Sequence, residues 1–181
     1  MVAGLFAAHG VFFGRTVSGD EHNEKGYFEH PELTSRVETG IMANWPDAWW
    51  QTLWSEGWNG DPWGVKRGPH AWPWVRALFP DLIVVCKRPR KQVVRSRLRR
   101  WPKRNDLQGS QNLARAEIER ISREAACPVV TVYTDRVIAG DYGRIAETFE
   151  TFGLKFSLEI ADEWIDRTMW DRGPIKQEAL G

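Results

Sequence analysis

The chain has 181 residues, 42% of them apolar and 27% charged, with a formal net charge of +1. That length suits one domain, residues 1–181, with its own core, and the composition is that of a globular protein rather than a disordered tail or a disulfide scaffold. No apolar run approaches the roughly 18 residues of a membrane span, and nothing basic precedes the apolar opening as a secretory leader requires, so a cytoplasmic protein without membrane association is expected.

The opening stretch MVAGLFAAHGVFFG is uncharged up to Arg15 and has no polar residue to cap it, which predicts a helix entered without an N-terminal signal. Next comes a helix over PDAWWQTLWSEGW, inside a segment from Trp45 to Trp74 that holds eight of the eleven tryptophans. Trp49 and Trp50 are read as core, with an aromatic acceptor pocket or a base-stacking surface as the alternative use of so many indoles. Three runs rich in Val, Ile and aromatic residues then read as buried strands: PWGVK (62–66), DLIVVCK (81–87) and PVVTVY (128–133).

Helix-like sequence separates the strands. HAWPWVRALF follows Pro69; Val93, Val94 and Leu98 sit among arginines after Pro89; and LQGSQNLARAEIERISREAA spaces Leu113, Ala116, Ile121 and Ala125 along one face. In GRIAETFETFG, Ile145, Phe149 and Phe152 repeat at helical spacing before Gly153, a left-handed stop signal, and Ser157 caps a last helix over SLEIADEWIDRTMW. Strands alternating with helices predict an α/β fold, three-layered, with a parallel sheet flanked by helices. Three strands are few for so much helix, which implies that a further strand belongs to the sheet. Cys86 and Cys127 lie in or beside strand-like runs and are expected to be reduced, buried thiols; no Cys/His spacing suits a metal.

Charge is distributed unevenly. Residues 87–104, KRPRKQVVRSRLRRWPKR, carry ten basic side chains and no acid, leaving 15 basic against 24 acidic residues elsewhere. Like charges so crowded repel one another, and a polyanion is the natural compensation, whether a nucleotide or a nucleic acid. Ligands of open parallel sheets bind outside the carboxyl ends of the strands. Those ends carry Lys66 and Arg67 with His70 behind them, Lys87 and Arg88 followed by Pro89 and Ser96, and Tyr133 with Thr134 and Asp135. Arginine forks and a serine hydroxyl suit a phosphate, and His70 suits proton abstraction from an attacking hydroxyl.

In order and spacing, GDEHNEKGYFEHPEL (19–33), WGVKRGPHAWPWVRALFPDLIVVCKRP (63–89) and VVTVYTDRVIAGDYGRIAETFETFGL (129–154) resemble the sulfotransferase family, particularly its short bacterial and phage members. The resemblance implies a P-loop NTPase-like fold and 3'-phosphoadenosine 5'-phosphosulfate as sulfate donor. It implies that Arg88 with Ser96 holds the donor's 3'-phosphate, with Lys87 as the alternate register; Arg95 and Tyr133 join the donor-binding set. It implies Lys66 and His70 as the catalytic pair, although His70 stands two residues beyond the family's histidine position, which here is Gly68; His22 and His30 are weaker candidates for the base. Tyr133 and Asp135 occupy the family's Y-E-D-L positions.

The family's loop around the transferred group has no counterpart, since neither G-x-x-x-x-G-K-[ST] nor S-G-T-[ST] occurs in the sequence. The helix at Met1 matches the one that follows this loop in relatives, so the loop and a first, central strand are expected to lie before it. Two other readings stay open. One is a P-loop kinase acting on a nucleotide or a modified DNA base, with Arg95, Arg97, Arg99, Arg100 and Arg104 as a phosphate clamp or a nucleic-acid contact. The other is a non-catalytic remnant or interaction module. Neither the acceptor nor the oligomeric state is legible in the sequence.

Overall fold

The computed structural model describes residues 1–19, 25–89, 91–93 and 107–165. Within them the chain is α/β. In order it forms α1 (Val2–Ala8), α2 (Pro31–Thr39), α3 (Trp45–Ser55), a 3-10 turn (Pro69–Ala71), α4 (Trp72–Arg76), β1 (Ile83–Lys87), α5 (Leu107–Glu124), β2 (Val129–Tyr133), α6 (Thr134–Ile138), α7 (Gly143–Thr151) and α8 (Leu158–Trp164). The strands pair in parallel, from Ile83 opposite Val129 to Lys87 opposite Tyr133. A parallel pair requires a long crossover, and here the connection carries α5.

The sheet is smaller than expected. The run 62–66 does not join it: Trp63 makes only an isolated parallel bridge with Phe12, through Phe12 N–H to Pro62 O at 2.8 Å and Gly64 N–H to Phe12 O at 2.8 Å. Pro62 has no N–H to extend that ladder, and Gly14, at φ +61°, turns the facing chain away within two residues. Each of β1 and β2 therefore has one partner strand among the described residues, and the pair depends on packing against helices for its stability.

One side of the sheet supplies that packing. Val84, Val130 and Val132 lie against Val2 and Leu5 of α1, Val137 of α6, Ile145 and Phe149 of α7, and Ala161 of α8. Leu5 and Phe149 are fully buried, each worth about 1.5–3 kcal/mol relative to exposure. The expected stop of α7 is present: Gly153 has φ +66°, and Gly153 N–H to Glu150 O and Leu154 N–H to Phe149 O, at 3.0 and 2.9 Å, close a Schellman motif. Ser157 caps α8 by accepting from Ile160 N–H at 3.3 Å.

A second core joins Leu33 of α2, Trp45, Trp49 and Leu53 of α3, and Leu78, with Trp50, Trp58, Trp63 and Trp74 packed around them. Trp45 and Trp49 are wholly buried and Trp50 packs on the cluster edge, so the indoles are largely core as expected; Trp54, 59% exposed, ends the series at the surface. The face expected for α5 is only half used. Ile121 is buried, whereas Leu113 is 70% exposed, because the elements packed against this helix meet its last turns, where Trp72 Nε1–H donates to Glu124 at 2.8 Å.

Among the described residues no helix is long and apolar enough to cross a membrane. Both cysteines are free, and Cys86 departs from expectation in keeping substantial solvent contact. It stands near the carboxyl end of β1.

Candidate functional site: a cationic rim at the strand ends

In the parallel register, residues opposite each other share a face. Cys86 therefore continues the Val84 side toward α1, whereas Lys87 and Tyr133 project side by side from the opposite face. Both of the latter are exposed, and the Arg136 guanidinium lies over the Tyr133 ring, 5.4 Å from its centroid. Arg88 follows the strand on the α1 side, where its charge acts on the amino group of Met1. The two basic candidates at the end of β1 thus serve opposite faces.

On the α1 face several cations meet. The Met1 amino group is lowered to about 6, first by burial and then by the positive charges of Lys66, Arg88 and Lys25, with Cys86 acting in the other direction. Burial holds the Arg88 guanidinium below its ordinary value. Burial also pushes the Cys86 thiol up, against the opposing effects of the Met1 amine and Lys66. Thr134, at the end of β2, adds a buried hydroxyl with no hydrogen-bond partner among the described residues, an unspent polar group at the same strand ends.

Lys66 comes from the segment after the Phe12–Trp63 bridge, and the loop before α2 orients it. Lys66 Nζ donates to Tyr27 O at 2.6 Å and lies 3.4 Å from Glu29 Oε1. Glu29 Oε2 accepts from Arg67, whose side chain is 13% exposed and also stands 3.5 Å from Glu38. Lys25, from the same loop, donates to Trp164 O and lies 4.8 Å from the Trp164 ring centroid. Phe28, between the two residues that hold Lys66, has φ +54°. That uncommon conformation for a phenylalanine turns its ring toward Phe13 and Trp164 while Tyr27 and Glu29 both address Lys66.

His30 is structural. It is buried, accepts at Nδ1 from Glu32 N–H at 3.2 Å as the cap of α2, and faces Glu56 Oε2 across 3.0 Å through Nε2. Accepting at Nδ1 leaves the ring proton on Nε2, so the neutral tautomer donates to Glu56. His70 stands apart: it is exposed on the 3-10 turn, its ring lies over Gly68, and no hydrogen bond or ion pair ties it to Lys66 among the described residues. Ser96, Arg95 and His22 lie outside the described residues, as does most of the basic run 87–104; what is described of that run shows Gln92 N–H and Val93 N–H bonding to Pro89 O, a helical turn opened by the proline.

The Met1 amine thus gathers Lys66 and Arg88, which sequence reasoning named, with Lys25 and Cys86, which it gave no role, and Glu29 holds Lys66. Glu29 was visible inside the GYFE motif, but its pairing with Lys66 and Arg67 joins positions 37 and 38 residues apart and leaves no local signal. No family model, curated protein or solved structure matches the chain.

Proposed function

We propose that the chain is a sulfotransferase-like protein, related to the P-loop NTPase fold, whose rim binds 3'-phosphoadenosine 5'-phosphosulfate by its phosphate-bearing end. The observation that carries this reading is that Arg88, Lys66 and Lys25, from three separate segments, all bring positive charge to the buried Met1 amine, with Arg88 directly following the carboxyl end of a parallel strand. Positive charges gathered about a partly buried position favour a multiply charged anion, because each acts through less water than at an open surface.

Arg88 suits a phosphate through its guanidinium fork, and Thr134, directly after β2, offers a buried hydroxyl. Lys66 adds charge in a position held by Tyr27 and Glu29. Ser96 and Arg95 join the set on the resemblance alone. The donor, when bound, supplies a sulfuryl group on a bisphosphate leaving group, for transfer to a hydroxyl or amine. Lys66 is the residue of this rim suited to offset charge that develops during the transfer, and His70, exposed on the 3-10 turn, is the base for the acceptor on the resemblance alone.

Binding of adenosine 3',5'-bisphosphate tests the reading directly. Calorimetry is expected to show it binding at least tenfold tighter than ATP, with Arg88→Ala reducing its affinity about tenfold or more. Bound bisphosphate should also shield Cys86 from iodoacetamide. Tighter binding of ATP would favour phosphoryl chemistry instead, and unchanged affinity in Arg88→Ala would remove Arg88 from the site.

A further inference from the structure

A recess lies at the C-terminal end of α1, where the two cores meet. It is open to solvent and offers about 370 Å³, and its walls include Phe12, Phe13 and Phe28, with Thr16, Asn59 and Asp61 among its polar residues. Phe12 belongs to the tryptophan-rich core, whereas Phe28 stacks edge-on against Trp164 of α8 at 5.8 Å. The recess therefore occupies a seam between packed units, a common place for small-molecule sites, and its volume falls within their range of about 300–1,000 Å³.

The chemistry of the walls is selective. The three phenylalanine rings are half-buried, so each keeps surface to offer a ligand. Among the described residues Asp61 is the one ionisable residue lining the recess. Its backbone is committed, N–H to Asn59 Oδ1 at 3.1 Å and C=O to Trp58 Nε1–H at 2.6 Å, which fixes where the side chain leaves the chain; its carboxylate forms no ion pair with the described residues. Asn59 spends its Oδ1 on that turn and keeps its amide N–H groups. Aromatic faces attract cations through the ring quadrupole, and a single carboxylate among them adds the same preference.

We infer that this recess binds a small organic cation: a protonated amine carried on an aromatic or aliphatic body, its ammonium toward Asp61 and its apolar part against Phe12, Phe13 and Phe28. The site adjoins the cationic rim through Phe28 but has the opposite charge preference, and its occupancy needs no nucleotide.

Three probes of matched shape distinguish the charge: phenethylamine, 2-phenylethanol and 3-phenylpropanoate. Gly10, Gly14 and Gly57 contribute backbone to the walls, so their amide signals in ¹H–¹⁵N NMR spectra report occupancy locally. In titrations of the full chain at pH 7, phenethylamine is expected to shift these signals saturably, binding about fivefold tighter than the alcohol, with the propanoate weakest. Asp61→Asn should bring the amine to the level of the alcohol and leave the alcohol unchanged. Equal binding of all three probes to the wild-type chain, an Asp61→Asn variant that still prefers the amine, or the absence of shifts at these glycines would each overturn the inference. The wild-type comparison requires no variant to fold, and none of these results bears on nucleotide binding at the rim.

Discussion

Replacing His30 by alanine removes three interactions at once, and their sum can be worked from the structure. The ring is 3% exposed and stacks edge-on against Trp49, 4.8 Å between centroids. Its Nδ1 satisfies Glu32 N–H at 3.2 Å at the start of α2, a cap worth about 1 kcal/mol. Its Nε2–H donates to Glu56 Oε2 at 3.0 Å; losing a bond to a charged acceptor costs about 1.5–3 kcal/mol, here reduced because the same oxygen still accepts from Arg15 N–H at 2.6 Å. Vacated ring space adds about 1 kcal/mol or more. His30→Ala should therefore lose about 3–5 kcal/mol. His30→Asn keeps a capping oxygen but is too short for Glu56, and should recover about 1 kcal/mol of that loss. Urea denaturation with unchanged m-values measures both. A loss below about 1 kcal/mol for alanine, or no recovery with asparagine, would refute the assignment of His30 as cap and carboxylate anchor.

Three further outcomes are expected. Gly14→Ala should cost about 2 kcal/mol or more by urea denaturation, because φ is +61° and the added methyl would overlap the Glu56 carboxylate that His30 holds. Glu29→Gln should lower stability by about 2–3 kcal/mol, between the values for buried and exposed pairs, since it strips the charge facing a largely buried Arg67; a change under about 0.5 kcal/mol would show that Glu38 suffices. Cys86 should alkylate more slowly at pH 8 than a free thiol, because burial pushes its thiol up. By linkage the folded state keeps this proton where the unfolded state has released it, so Cys86 makes stability fall as pH rises above the ordinary thiol value of about 8.5. Cys86→Ala should flatten that slope, and an unchanged slope would place the effect elsewhere.

Much of the local structure is written in neighbouring residues. Ser157 before its helix and Gly153 after another act within one turn, and Ile145 with Phe149 marks a buried face by spacing alone. The strands at 83–87 and 129–133 follow from their apolar, β-branched runs, and their common direction from the helix between them. The run at 62–66 has similar composition, yet it forms only one bridge, because pairing depends on what lies alongside and Phe12 offers a single rung before Gly14 turns away.

The rim divides in the same way. Basic residues at strand ends could be read directly from the sequence, but the separation of Lys87 from Arg88 comes from strand alternation and from which face α1 covers. Tyr27 and Glu29 hold Lys66 from either side of Phe28, which takes a left-handed backbone conformation. Composition and periodicity determined the fold class, the helix ends and the sign of the charge at the strand ends, since these arise from interactions within a few residues. Tertiary structure alone decided which cations act on the Met1 amine, which histidine is buried against Glu56, and which three phenylalanines line one recess with Asp61, since each depends on contacts between residues far apart in the chain.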